Sequence, residues 1–248
     1  LGVGGAAVFA VLCRAQRQPL WQANFLARPV LLRNLAELLG TLGFVTALAL
    51  IPLSTASAIL QAAPLLVTLG AAVFFREPVG WRRWAAILVG FGGVMLIIRP
   101  GTEGFDWLSL FAVLGVLGLA VRDLATRKVS FAISSMQLSF LAFLTLIPTS
   151  VILLSVGGVA PVLPNALQSG LLATAVLIGA LSYFAITYAM RIGDIGFVTP
   201  FRYSRMIFAL IIAVIFFGEN PDVLTLIGAA VIIASGLYTL WREQVLKL

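Results

Sequence analysis

The stretch Gly196-Phe197-Val198-Thr199-Pro200-Phe201-Arg202-Tyr203-Ser204-Arg205 runs directly into Met206–Phe217, which holds no polar residue. About 20 residues at about 1.5 Å each cross the roughly 30 Å of bilayer hydrocarbon. Gly196–Phe217 is therefore long enough to span a membrane, and it carries two arginines inside or at the inner edge of the span. Arginine stays protonated there. Such charges are costly and mark either function or helix-to-helix pairing. The reading fixes the fold class as all-α, a polytopic membrane helix bundle.

Composition agrees. Of 248 residues, 61% are hydrophobic and 10% are charged, with mean hydropathy +1.11. Soluble domains run nearer a quarter charged. There is no histidine and one cysteine, Cys13, which excludes an internal disulfide and any Cys/His zinc site. No metal and no cofactor is expected. The net charge of +7 belongs to membrane-flanking loops, so nucleic acid is not an expected partner.

Taken in order, Leu1–Cys13 reads as part of a span, Arg14–Arg33 as a basic loop, and Leu35–Leu53 and Ser54–Phe75 as spans joined by a tight turn. Trp84–Ile98, Trp107–Ala125, Ser135–Val156, Gly170–Met190, Gly196–Phe217 and Leu224–Trp241 complete eight full spans and one partial. Short loops on one side hold thirteen Lys and Arg, counting Arg33, Arg122 and Arg191, while the other side holds only Arg99. The basic side is the expected cytoplasmic side, with the C-terminus inside. The opposite loops carry Glu103, Asp106, Glu219 and Asp222.

The chain also repeats itself. Residues 63–78 lie over 205–221 at an offset of 142, which sets Glu77 over Glu219 at the end of a shared F-F-x-E-(x)-P pattern. Two units follow, 1–98 and 107–241. Each corresponds to five spans, the first unit lacking its first span and part of its second. Five is odd, so the second unit is expected upside down, and the charges agree: the Glu77 loop is basic, the Glu219 loop acidic. Inverted repeats place a transport site at mid-membrane between the halves.

The segments P-L-L-V-T-L-G-A-A-V-F-F-R-E-P-V-G-W-R-R-W at 64–84, L-V-G-F-G-G-V-M-L-I-I-R-P-G at 88–101, V-T-P-F-R-Y-S-R-M-I-F-A-L at 198–210 and F-F-G-E-N-P-D at 216–222 resemble the drug/metabolite transporter superfamily, EamA type. The resemblance implies ten spans in the complete fold, a central cavity between halves, and a small-molecule substrate.

The polar residues inside spans are the site candidates. Ser54, Ser57 and Gln61 share one helical face, and the repeat sets Ser57 over Thr199 and Gln61 over Tyr203. With Tyr183, Arg202 and Arg205 these form the expected substrate-binding set; helix-to-helix hydrogen bonding is the competing use of the same polar groups. Glu37 and Asp123 read as lying near basic-side span ends, with no acid at mid-span. Either is expected to pair with Arg202, leaving Arg205, deeper in the span, for an anionic substrate group. Gly90, Gly92 and Gly93 are expected to permit close helix packing. Lacking a P-loop and G-x-S-x-G, the chain reads as a non-enzyme. The leading reading is a secondary transporter of a small organic metabolite in a bacterial inner membrane, working by alternating access, with a carboxylate- or phosphate-bearing substrate favoured. A non-transporting membrane scaffold or assembly subunit is the second reading. The lipid bilayer is a partner in both, and a second copy of the chain, as a homodimer, is left open.

Overall fold

The structure is a computed structural model that describes residues 1–75, 80–102, 105–158, 162–192 and 202–247. All secondary structure in these residues is helical: α1 Gly2–Ala15, a 3₁₀ turn Ala23–Leu26, α2 Arg28–Leu50, α3 Leu53–Leu60, α4 Ala63–Phe74, α5 Trp81–Ile98, α6 Ser109–Lys128, α7 Ser135–Gly157, α8 Ala166–Ile192, α9 Ser204–Phe217 and α10 Val223–Lys247. Glu77, Thr199 and Gly196, singled out in the sequence, lie outside the described residues, so the start of the Gly196 span is not described.

Helix starts follow local chemistry. Ser134 and Gln137 form a reciprocal capping box at α7, and Asn165 and Gln168 exchange the same two bonds at 2.9 and 2.8 Å before α8, satisfying N–H groups that have no partner within the helix. The 16–22 stretch docks at the start of α7, where Gln137 Nε2 donates to the Pro19 carbonyl at 2.8 Å. Gly158 ends the same helix, roughly 33 Å away at 1.5 Å per residue. The 16–22 stretch and Gly158 thus stand at opposite ends of α7.

The structure corrects two boundaries. Residues 28–33 are helix rather than loop: Pro29 occupies the first turn of α2, where a missing N–H and a fixed φ are tolerated. Arg33 therefore lies inside the helix at 1% exposure, and Glu37 stands ten residues into a 23-residue helix, at mid-span rather than near its end. Arg122 likewise belongs to α6 and not to a loop. The span read as continuous from Ser54 to Phe75 is broken. Pro64 cannot donate to the Leu60 carbonyl, and Gln61 and Ala62 instead make tighter bonds back to Ala58 and Ile59, at 3.1 and 3.0 Å.

Small residues decide the packing. The α2–α6 pair is the most extensive helix contact, and its seam is Gly40 and Gly43 against Gly115 and Gly118. A Cβ on Gly43 would stand 2.8 Å from both Gly115 N and Phe111 O. In a bilayer, where lipid tails are as apolar as leucine, such backbone approach is what holds helices together. Gly93 does the same between α5 and α10, where a Cβ would stand 2.8 Å from Gly228 O; at Gly90 a Cβ would meet the Leu65 and Ser235 side chains, and Gly92 faces open space. The α3–α4 pair is the most buried of the long apolar segments and α8 the least.

Candidate functional site

Three helices, α2, α6 and α8, and the entry to α9 bring charged and polar side chains to one place. On α2, Arg33 and Glu37 are one turn apart and share a face. On α6, Arg122 and Asp123 are adjacent. The Arg122 guanidinium donates Nε and Nη2 to Asp123 Oδ1, at 2.9 and 2.7 Å, and Nη1 to Glu37 Oε1 at 3.4 Å. The Tyr183 hydroxyl, from α8, accepts from Arg33 Nη2 at 2.8 Å and donates to Glu37 Oε2. Arg202 Nη1 reaches Asp123 Oδ2 at 2.7 Å. Asp123 is thus held by two guanidinium groups, on its two oxygens.

Arg33 has an unusual position. It is fully buried, yet no carboxylate lies within ion-pair distance of it among the described residues. Its partners are Asn34 Oδ1 at 2.9 Å and the Tyr183 hydroxyl, and its Nε has no hydrogen-bond partner. A buried cation in this state is expensive unless something anionic joins it.

The break between α3 and α4 meets the start of α9. Gln61, 1% exposed, donates Nε2 to the Tyr203 carbonyl at 3.0 Å and accepts from Arg205 Nη2 at 3.3 Å. Gln61 and Tyr203, expected from the sequence to be counterparts in the two units, are in direct contact. Arg205 is exposed, and its polar partner is the Gln61 amide rather than an acid. The Tyr203 ring turns the other way, into α10: its hydroxyl is buried without a partner among the described residues, and a Cβ on Gly236 would collide with it. Ser57 is buried one turn into α3. Of the expected set, Gln61, Tyr183, Arg202 and Arg205 converge with Glu37 and Asp123; Tyr203 contributes its backbone carbonyl, and Thr199 lies outside the described residues.

Arg33 and Arg122 were missed as site residues because they were counted as loop charges. The available signals were their spacing to acids: Arg33 lies four before Glu37 and Arg122 lies next to Asp123. The cluster encloses a chamber of about 10 Å³ walled by Arg33, Arg122, Asp123, Tyr183 and Thr187, room for about one water. Thr126 and Met190 line this chamber and also a larger cavity of about 380 Å³ toward Lys128, Phe131 and Arg191. That vestibule opens at the basic end of the helices. No group of three or more metal-ligating side chains occurs among the described residues.

A profile of the EamA-like transporter family matches residues 1–99 and 106–241. An S-adenosylmethionine uptake transporter of Rickettsia felis is 30% identical over 214 residues, covering 86% of this chain and 72% of that protein. A riboflavin transporter of Vibrio cholerae is 30% identical over 222 residues, with 86% and 72% covered. One solved crystal structure superposes with TM-score 0.65 over 97% of this chain and 85% of that one, at 21% identity; it shares the fold.

Proposed function

From the premise that the chain belongs to the EamA-like transporter family, an integral multi-pass membrane protein, we propose that it is a secondary transporter for a small organic metabolite bearing a carboxylate or phosphate. The observation that carries the anionic part is the imbalance of the inter-helix cluster. Among the described residues, Arg33, Arg122, Arg202 and the exposed Arg205 stand against two acids, Glu37 and Asp123, a surplus of two positive charges. Coulomb repulsion in a medium of reduced dielectric makes such a surplus unfavourable until an anion arrives. Guanidinium groups bind carboxylate and phosphate through two parallel hydrogen bonds.

On this reading, 1–98 and 107–241 are inverted repeats, and the Gln61–Tyr203 contact lies on the axis between them. The basic end is cytoplasmic, the C-terminus is inside, and the host membrane is a bacterial inner membrane. The basic vestibule leads past Thr126 and Met190 to the cluster. The substrate's anionic group meets Arg205 and the surplus charge around Arg33, while Gln61 and Tyr183 supply neutral hydrogen bonds. Asp123 holds Arg202 and Arg122 in place when the site is empty. Alternating access follows from rocking of the halves about the axis.

The experiment is uptake into proteoliposomes with a panel of metabolites that starts from S-adenosylmethionine and riboflavin, the substrates in the names of the two relatives. Arg205→Ala and Arg205→Lys are both expected to abolish uptake while the protein still folds, because lysine cannot replace a bidentate contact. Full uptake by Arg205→Ala, or transport confined to solutes without an anionic group, overturns the assignment.

A further inference from the structure

We propose that Glu219 is a positioning residue for transport, a latch that holds the acidic end of the carrier shut while the basic end is open; this rests on the transporter reading above. Glu219 follows Gly218, which ends α9 in the left-handed conformation at φ 64°, a turn that glycine adopts without strain. The turn sends the Glu219 carboxylate back to the first turn of α3. Oε1 accepts the Leu53 N–H at 2.6 Å, and Oε2 accepts the Ser54 N–H at 2.9 Å and the Ser54 hydroxyl at 2.6 Å. These are free N–H groups at a helix start, where a carboxylate is favoured by both hydrogen bonding and the helix dipole. The local sequence supplies no cap, since Pro52 stands at the capping position.

The cap thus comes from 165 residues away, across the two halves of the chain. The same loop makes a second crossing tie, Asp222 to Arg99 at the end of α5. At its other end α3 meets α9 again through Gln61. The two spans are therefore fastened at both ends, and at the acidic end the fastening stands at the water boundary: Glu219 is half-buried, and Ser54 behind it is 1% exposed. When the acidic end opens, water must replace three hydrogen bonds. The latch stabilises the closed form alone, which is what shifts a two-state carrier.

The test needs no substrate, so its failure is distinct from failure of the transport assignment. In a Cys13→Ser background, Ser57→Cys reports access from the acidic end and Thr126→Cys reports access from the basic vestibule, each read with an impermeant maleimide on reconstituted protein. Glu219→Gln is expected to raise labelling at position 57 by about tenfold, the scale of one hydrogen bond to a charge, and to lower labelling at position 126. Ser54→Ala, which removes one bond of three, is expected to shift both reporters the same way by less, and it serves if Glu219→Gln fails to fold. Unchanged labelling at both positions overturns the proposal. So does a rise at both, which would mark Glu219 as a general staple rather than a latch.

Discussion

Gly118→Ala is the sharpest test of the α2–α6 seam. A Cβ there would stand 2.5 Å from Gly40 N and 2.8 Å from Ala36 O. Both are backbone atoms of α2, so no side chain can swing aside. Ordinary contact begins at 3.4 Å, so Gly40 N alone requires about 0.9 Å of separation (3.4 − 2.5), and Gly40 Cα, which lies closer, requires slightly more. Arg122 is one turn further along α6, and its 3.4 Å contact to Glu37 would lengthen to about 4.3 Å, beyond ion pairing. Overpacking of this kind costs about 1–3 kcal/mol, and for a chain of this size each kcal/mol moves Tm by about 2–4 °C. A loss near 6 °C is the central expectation in detergent thermal unfolding. Gly92→Ala is the matched control. Nothing lies within 4 Å of a Cβ there, and replacing a mid-helix glycine by alanine is favourable by about 0.5–1 kcal/mol. Equal melting temperatures for the two variants would refute the claim that backbone contact at this seam positions the cluster.

Three further outcomes are expected. Asp123→Asn leaves Arg122 and Arg202 buried without their shared acid, a loss of about 3–5 kcal/mol; chemical denaturation showing under about 1 kcal/mol would contradict the pairing. Arg205→Ala, at an exposed position whose hydrogen-bond partner among the described residues is an amide, should change stability by no more than about 0.5 kcal/mol while abolishing uptake. A large stability loss there would make Arg205 a structural residue. Acid should release the latch. Burial raises the Glu219 carboxyl, but the hydrogen bonds from Ser54 and Leu53 outweigh it and hold it below the usual 4.5. Burial also raises the Asp222 carboxyl, but the Thr225 bonds and Arg99 hold it below 3.8. A depressed carboxyl stabilises above its ordinary range and loses that contribution as pH falls through the folded value, so labelling at position 57, taken relative to a permanently exposed cysteine at the same pH because only the thiolate reacts, should begin to rise below about pH 4.5. Glu219→Gln should flatten this onset, and an onset unchanged in that variant would exclude Glu219 as its source.

The spans were legible because bilayer thickness imposes a length that hydropathy alone reveals. The charge cluster was legible only in part. Arg202, Arg205, Asp123 and Glu37 stood out as charges in or beside apolar runs. Pro29 disguised the start of α2 as a loop, and that misplaced Arg33 and moved Glu37 from the middle of its span to the edge. Pro64 was present in the sequence, yet a proline inside a span predicts a break only when no neighbour repairs the ladder, and that depends on tertiary contacts. The bond from Glu219 to Ser54 has no local signal at all. Its only trace was the F-F-x-E-(x)-P pattern, which marked Glu219 as special without showing what it touches.

The distribution of charge among the helices also bears on how the chain enters the membrane. Arg33 and Glu37 ride the same face of α2, and Arg122 and Asp123 are bonded neighbours on α6, so each of these spans can be inserted with its charges internally balanced. The span of α9 has no such means. It brings Arg202 and Arg205 without an acid of its own, and a lone central arginine costs about 2.5–3.5 kcal/mol at insertion. Its partners, Asp123 and Gln61, lie on helices synthesised earlier. The order of the chain therefore has the receptors for these two arginines embedded before the arginines arrive, and the span should integrate poorly in an insertion assay on its own and well when α3 through α6 precede it.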